Sequence, residues 1–339
     1  MTWMLPVASF AAAVVVTWIV LQLSRSCRRL DEPRAHSSHT TPMPTAGGLG
    51  IVFGFWTGLL LARATDCSHF AVLAPIISPL SVCSAILALM LVDDVVRPLR
   101  VWEKAAVQLA VGAVWVQMGA HFEMIELPFT AVELGGLGWL FSIVWIAAVC
   151  NVYNFMDGLD GISASQVICM SFFAALLFQR AESDLWVLPL VLGCGALGFL
   201  VFNLPPGRIF MGDVGSMFLG FVVAVLGILA QGTGISLWVF ALILGYYLFD
   251  TSYTVLRRAL RRENVLRGHR KHLYQRLNKL GWSHLRVDLV TLALSSIFGA
   301  AALYFQAGEQ LSGLCLAGCA VVALVVVVIW VERKDPAFA

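Results

Sequence analysis

Charge is scarce in this sequence of 339 residues: only 12% are Asp, Glu, Lys or Arg, while 60% are hydrophobic. Globular proteins are about a quarter charged and about half apolar, so the deficit excludes an ordinary soluble domain. The mean hydropathy of +0.86 agrees. Paired cysteine spacing is also missing. The chain has eight cysteines, and none stands in a zinc or redox arrangement. Cys83, Cys150, Cys169, Cys194, Cys315 and Cys319 lie in apolar runs, and Cys315 and Cys319, one helical turn apart, read as packing residues. No basic residue precedes the first apolar segment and no small-residue cleavage site follows it, so it reads as a retained membrane helix. No internal repeat and no separate soluble domain is visible. Residues 1–339 read as a single integral-membrane domain, whose longest polar stretch, 257–286, is a loop.

What the chain has instead is apolar runs. A bilayer core needs about 20 apolar residues as helix. Hydropathy gives about eleven spans, at 4–23, 47–62, 70–92, 105–120, 137–150, 164–178, 186–202, 216–230, 234–255, 287–305 and 311–330. The expected fold is therefore an all-α polytopic membrane protein. With the N-terminus outside, the inside loops and C-terminus hold 20 of the 22 Lys and Arg residues, and only Arg63 and Arg180 fall outside. Basic residues are retained in short cytoplasmic loops. The expected topology thus has a periplasmic N-terminus and a cytoplasmic C-terminus.

Four polar motifs face the cytoplasm in that topology. Asp93-Asp94 ends the third span, where adjacent like charges favour a nearby cation. Asn151-Val-Tyr-Asn154-Phe-Met-Asp157-Gly-Leu-Asp160-Gly161 ends the fifth. A carboxylate at a helix centre in the bilayer costs on the order of 3 kcal/mol, so acids crowded at the membrane edge point to work. Asn154, Asp157 and Asp160 are spaced by three and share a face if helical. Their hard oxygens suit Mg²⁺ or Mn²⁺. A calcium loop is excluded, because the alternating ligands and closing Glu are missing. Gly212-Asp213-Val-Gly215-Ser216 opens the eighth span, where helix N–H groups attract anions. Asp213 or Ser216 as a plain N-cap is the alternative. His269-Arg-Lys-His272-Leu-Tyr-Gln-Arg276 lies in the basic loop; histidine donors with arginine can cradle a diphosphate. Arg34, His36, Ser37, Ser38 and His39 in the first loop read equally as substrate contacts or as a connector. Asp250, inside the ninth span, is either a functional carboxylate or a charge neutralised by Arg257.

Together these motifs resemble the polyprenyl-phosphate N-acetylhexosamine-1-phosphate transferase family, glycosyltransferase family 4. Asp93-Asp94 matches its acidic pair, Asn154, Asp157 and Asp160 its Asn-x-x-Asp-Gly-x-Asp-Gly motif, Asp213 its Gly-Asp-x-Gly-Ser motif, and His269, His272 and Arg276 its histidine loop. The unpaired histidines resemble the O-antigen, lipopolysaccharide-initiating type more than the peptidoglycan type, phospho-N-acetylmuramoyl-pentapeptide transferase. Thr45-Ala46 departs from the family, where an arginine is common. The resemblance implies an enzyme of the bacterial inner membrane with its site facing the cytoplasm. It would transfer N-acetylhexosamine-1-phosphate from a UDP-sugar to undecaprenyl phosphate, with release of UMP. It implies Mg²⁺, with Mn²⁺ as a substitute, held chiefly by Asp213 with Asp94 in support. Asp93 would hold or deprotonate the lipid phosphate, Asp157 and Asp160 would orient the nucleotide sugar, and His269, His272 and Arg276 would bind its diphosphate. The lipid bilayer is the expected surrounding, and no nucleic-acid partner is expected. The competing class, an ion-coupled transporter, places its binding groups near the midplane, often in repeated halves; here the acids crowd one face.

Overall fold

In a computed structural model, residues 3–27, 30–31, 42–65, 70–127, 130–264 and 269–335 are described. Thirteen α-helices make up most of them. They are α1 (Met4–Ser26), α2 (Leu49–Ala64), α3 (Phe70–Leu87), α4 (Val101–Met118), α5 (Leu137–Met156), α6 (Ile162–Arg180), α7 (Val187–Asn203), α8 (Gly212–Gln231), α9 (Leu237–Ile243), α10 (Gly245–Leu260), α11 (Leu273–Lys279), α12 (His284–Gln306) and α13 (Gln310–Lys334). Each of the eleven expected spans falls on helix, but among the described residues eight helical segments are long and apolar enough to cross a membrane, or nine if a bent pair counts as one. Helix α2 has 16 residues, about 24 Å, shorter than a hydrocarbon core of about 30 Å. Helix α4 carries Glu103 and Lys104 in its first turn and a half. The ninth expected span is the bent pair: α9 and α10 meet at 87°. The all-α expectation is further modified by two antiparallel pairs, β1 (Leu30–Asp31) with β2 (Met43–Pro44) and β3 (Met124–Leu127) with β4 (Thr130–Glu133).

Helix α8 is the axis of the bundle. Of its residues only Gly212, Asp213, Leu229 and Gln231 escape burial. A helix that is apolar all round is stable only with neighbours all round. Helices α2, α3 and α5 supply part of that cover. Phe55 of α2 meets Phe218 edge-on at 5.5 Å, and Trp115 of α4 meets Phe221 at 6.0 Å. At Gly220 a Cβ would lie 2.5 Å from the Cys150 Cα, so the missing side chain lets α5 and α8 touch backbone to backbone.

Apolar helices gain no hydrophobic transfer energy against one another in lipid; close packing and hydrogen bonds must hold them. Two seams show both devices. Gly50, Gly54 and Gly58 on α2 face Thr17, Ala13 and Ser9 on α1, a ladder of small residues with a period of four. The Ser9 hydroxyl reaches the Gly54 carbonyl at 2.6 Å. Between α6 and α12 the seam is polar: Ser165 donates to Asp288 at 2.5 Å, Gln166 to Thr291 at 3.1 Å, and Ser295 to Gln166 at 2.6 Å.

The α1–α2 seam makes a direct prediction. A Cβ at Gly54 would stand 2.6 Å from the Ser9 carbonyl oxygen and 3.0 Å from the Ala13 methyl. Gly54→Leu is expected to lower stability by about 1–3 kcal/mol, the usual cost of overpacking, read as a fall in thermal midpoint in detergent. Gly136→Ala, at a position with nothing within 4 Å, is expected to leave the midpoint unchanged.

Candidate active site

The site is assembled around the N-terminus of α8. After α3 the chain tightens into a 3₁₀ turn, Ala88–Met90, then widens into a π turn, Val92–Val96, closed by the Arg97 N–H on the Val92 carbonyl at 2.8 Å. Such π turns re-aim side chains inside helices. Here the result is that Asp94 caps α8. Its two carboxylate oxygens accept the N–H groups of Asp213 and Val214, at 2.8 and 3.0 Å. These donors have no partner within the helix, and the helix dipole adds to the attraction. Gly212 makes room. Its φ is +75°, and a Cβ there would stand 2.6 Å from the Asp94 carboxylate.

Asp93 and Asp213 complete an acidic group. Oxygens of Asp93, Asp94 and Asp213 lie within 4.8 Å of one another, all half-buried. Lys104, from the opening of α4, reaches into the group: its ammonium pairs with Asp93 at 3.1 Å and with Asp213. Asn154 donates to Asp213 at 2.9 Å and to the Ser216 hydroxyl at 3.2 Å. Asn151 is tied instead to Gln108 of α4, at 2.7 Å. Three carboxylates against one ammonium leave −3 + 1 = −2 when all are ionised. A cation already draws two of the three carboxylates together, and the donors are hard oxygens, so the group fits a Mg²⁺ or Mn²⁺ ion. Lys104 escaped the sequence reading. The available signal was the one lysine of a mostly apolar helix, eleven residues after Asp93.

The second wall is the turn from α5 into α6. Asp157 is half-buried; desolvation chiefly, then the charges of Asp213 and Asp160, pushes its carboxyl up to about 7. Asp160 accepts the Gly207 N–H at 3.2 Å, and its oxygen lies 3.1 Å from His284 Nδ1. Asp160 therefore fastens this turn to the α7–α8 loop and to the start of α12, a holding role the sequence did not disclose. Gly161, with φ +85°, lets the chain reverse into α6, and its N–H donates to Asn203 at 2.8 Å. The turn is thus locked before any ligand arrives.

The histidine loop packs on the same turn. His272 stacks between Phe155 and His269, with ring centres 6.0 and 4.9 Å away. The Tyr274 hydroxyl donates to the Phe155 carbonyl at 3.0 Å, and a Cβ on Gly158 would lie 2.3 Å from that hydroxyl. Asp250 settles the loop's position. It is fully buried and caps α11 by accepting the N–H groups of Leu273 and Tyr274 at 2.8 and 3.1 Å, with His272 Nδ1 at 3.2 Å. The hydroxyls of Tyr246 and Thr254 on its own helix donate to it as well, while Arg257 pairs with Glu332 of α13. Burial and the neighbouring His272, Arg258 and Lys271 push His269 down to about 4. It is neutral at pH 7, and because Nδ1 accepts the Lys271 N–H at 3.2 Å, its proton sits on Nε2.

Arg276 departs from the expectation. Its side chain is fully buried and its guanidinium donates to Glu332 at 2.5 Å. It anchors α11 to α13 and does not present itself to a diphosphate. His272, also buried and held by Asp250, orients its neighbours; His269 is the half-buried donor of the loop. The first-loop residues Arg34, His36, Ser37, Ser38 and His39 lie outside the described residues. The end of that loop is described: Gly47 and Gly48 donate to the Phe210 and Met211 carbonyls at 2.9 and 2.8 Å, directly before Asp213.

Known proteins share this arrangement of sequence. The family described as glycosyl transferase family 4 matches residues 76–231, which include all six Asp and Asn residues named above as motif members. A probable undecaprenyl-phosphate N-acetylglucosaminyl 1-phosphate transferase of Bacillus subtilis is 29% identical over 88% of this chain and 84% of its own length. A decaprenyl-phosphate N-acetylglucosaminephosphotransferase of Mycobacterium leprae is 27% identical over 98% of this chain and 92% of its own. A phospho-N-acetylmuramoyl-pentapeptide-transferase of Latilactobacillus sakei is 28% identical over 80% and 87%.

The raised Asp157 carboxyl has a measurable consequence. Unfolded, it titrates near 3.9; folded, at about 7. Between these values the folded state holds a proton that the unfolded state has lost. The burden of the partly desolvated charge is therefore absent below about pH 4 and complete above about pH 7. In thermal unfolding, Asp157→Asn is expected to match the native protein at pH 4 and to exceed it by several degrees at pH 8. Parallel midpoint curves across that range would contradict the assignment.

Proposed function

The chain belongs to glycosyl transferase family 4, the polyprenyl-phosphate sugar-1-phosphate transferases, and on that premise we propose that it moves N-acetylhexosamine-1-phosphate from a UDP-sugar to undecaprenyl phosphate. The observation that carries this reading is the group at the head of α8: Asp93, Asp94 and Asp213 within 4.8 Å, with Lys104 among them. It is a place for bringing two phosphates together.

The reaction joins anions. An oxygen of the lipid phosphate attacks the sugar-linked phosphorus, a new P–O bond forms, and the bond to the bridging oxygen breaks, so UMP leaves with that oxygen. A phosphomonoester has its second pKa near 6, so the acceptor arrives mostly ionised and little proton removal is needed. Positioning and charge neutralisation are then most of the catalysis. Asp93 fixes the Lys104 ammonium, which faces the acceptor phosphate. Asp213 would hold a divalent cation, with Asp94 in support from its place on the helix N-terminus. Such a cation, when bound, neutralises the diphosphate oxygens and polarises the attacked phosphorus. Asn154 orients Asp213. The turn with Asp157 and Asp160 places the nucleotide sugar. His269 donates its Nε2–H to a diphosphate oxygen, and Asp250, through His272 and α11, holds it there.

N-acetylglucosamine is the proposed sugar, since the Bacillus and Mycobacterium relatives carry it in their names. The product would start a polyprenyl-linked glycan of the O-antigen kind at the cytoplasmic face of the inner membrane. The Latilactobacillus relative favours a second donor, the muramoyl-pentapeptide nucleotide, over much of the chain. The unpaired spacing of His269 and His272 weighs against it.

Purified protein in detergent, with undecaprenyl phosphate and Mg²⁺, is expected to release UMP from UDP-N-acetylglucosamine and not from UDP-N-acetylmuramoyl-pentapeptide. Asp213→Asn and Asp94→Asn are expected to lower kcat by about 100-fold or more, the scale for losing a group that stabilises developing charge. No UMP from any UDP-N-acetylhexosamine, or full activity of Asp213→Asn at limiting Mg²⁺, would overturn the reading.

A further inference from the structure

Helix α13 is joined to the molecule by little apolar surface. Of its 25 residues only Gly313, Ala320, Leu324 and Val331 are buried, a narrow stripe along its contact with α12. Apolar helices gain little transfer energy against one another in lipid, so such a stripe holds weakly. The end of the helix is different. The half-buried Glu332 carboxylate accepts from three side chains: the Tyr253 hydroxyl at 2.5 Å, the Arg257 guanidinium at 2.9 and 3.0 Å, and the Arg276 guanidinium at 2.5 Å. Arg257 offers two N–H groups to the two oxygens, a strong and directional form of ion pair. Asp335, on the same side, stands 3.7 Å from Arg276 Nε. Glu332 belongs to none of the four polar motifs.

These contacts close a ring around α11. Asp250, Tyr253 and Arg257 are spaced by three and four and share one face of α10. Asp250 grips α11 directly, through the N–H groups of Leu273 and Tyr274. Tyr253 and Arg257 grip it indirectly, through Glu332 and the fully buried Arg276. Helix α11 has seven residues, well short of the roughly 12 at which an isolated helix becomes even marginal. Its place is therefore imposed by its anchors. Two parts of the donor side depend on that place. His272, which opens α11, stacks on His269 with ring centres 4.9 Å apart. The Tyr274 hydroxyl donates at 3.0 Å to the carbonyl of Phe155, two residues before Asp157.

We propose that Glu332 is a positioning residue for the nucleotide-sugar donor: by holding Arg276 against Tyr253 and Arg257 it fixes α11, and with it His269 and the turn that carries Asp157. The inference rests on the donor-binding role given above to the histidine loop and to that turn. The acidic group is built without α13: Asp93 and Asp94 follow α3, Lys104 is on α4 and Asp213 is on α8. Loss of Glu332 should accordingly weaken the donor and spare the acceptor and the cation. A misplacement of about 1 Å is enough for a large loss, since oriented groups contribute only in the right geometry.

The test is steady-state kinetics of the full chain in detergent with each substrate varied in turn, beside thermal midpoints and Mn²⁺ binding. Glu332→Ala is expected to raise KM for UDP-N-acetylglucosamine about tenfold. KM for undecaprenyl phosphate and the affinity for Mn²⁺ should stay native. Tyr253→Phe removes one hydrogen bond to the carboxylate and keeps the ion pairs, so it serves even where Glu332→Ala does not fold. It is expected to raise KM for the UDP-sugar about threefold, the scale of a single net hydrogen bond. Glu332→Gln, which keeps an acceptor oxygen, should fall between native and Glu332→Ala. Gly54→Leu, destabilised at the distant α1–α2 seam, should keep native KM values for both substrates. A native KM for the UDP-sugar in Tyr253→Phe and Glu332→Gln would overturn the proposal. So would equal rises in both KM values, or the same rise in Gly54→Leu, since either would mark Glu332 as a support of the fold alone. In those cases UMP release by the native protein would still stand, which separates failure of the positioning role from failure of the transferase reading.

Discussion

The bond of Asp94 to the first N–H groups of α8 is the constraint on which the site depends. A carboxylate from the end of one membrane helix replaces the missing partners at the start of another. To reach there, the chain after α3 must open into a π turn, and residue 212 must adopt a positive φ with no side chain. Gly48 and Gly215 must also meet almost backbone to backbone, where a Cβ on Gly48 would lie 2.3 Å from the Gly215 Cα. These requirements look like separate oddities along the sequence. In space they are one joint, and α8, buried nearly all round, holds it rigid.

Electrostatics then divides the labour. Three carboxylates in a half-buried cluster would repel strongly, because the screening available in water is reduced there. Lys104 relieves part of that repulsion, the α8 N-terminus another part, and the remaining negative charge favours a divalent cation. The basic loop is managed differently. Four of its cations are engaged with protein acids: Arg276 and Arg257 with Glu332, Lys271 and Arg258 with Glu263. Beside them a neutral His269 is a hydrogen-bond donor on a loop that Asp250 pins from below. A neutral donor can contact a phosphate without competing for the carboxylates.

The helices and the acidic cluster were largely legible in the sequence, since polar residues are conspicuous among apolar runs. Asp93, Asp94, Asn154 and Asp213 do converge in the structure. What was hidden has one physical cause: the partners lie far apart along the chain. Asp213 and Lys104 are separated by 109 residues, Asp160 and His284 by 124, and Asp94 and Val214 by 120. No local pattern marks Arg276 as the partner of Glu332 rather than of a phosphate. The span count agrees only in part, for a related reason. Hydropathy sees how apolar α2, α4 and the α9–α10 pair are, but not that one is short, one starts with charge and one bends at 87°.

The central claim is that the acidic group at the head of α8 holds a divalent cation against the nucleotide diphosphate. Electron paramagnetic resonance of bound Mn²⁺ in the purified protein tests it without relying on turnover. Native protein is expected to bind Mn²⁺, and UDP-N-acetylglucosamine is expected to add a ³¹P coupling to the signal; both should vanish in Asp213→Asn. Mn²⁺ binding and phosphorus coupling that persist unchanged in Asp213→Asn would place the ion elsewhere and contradict the claim.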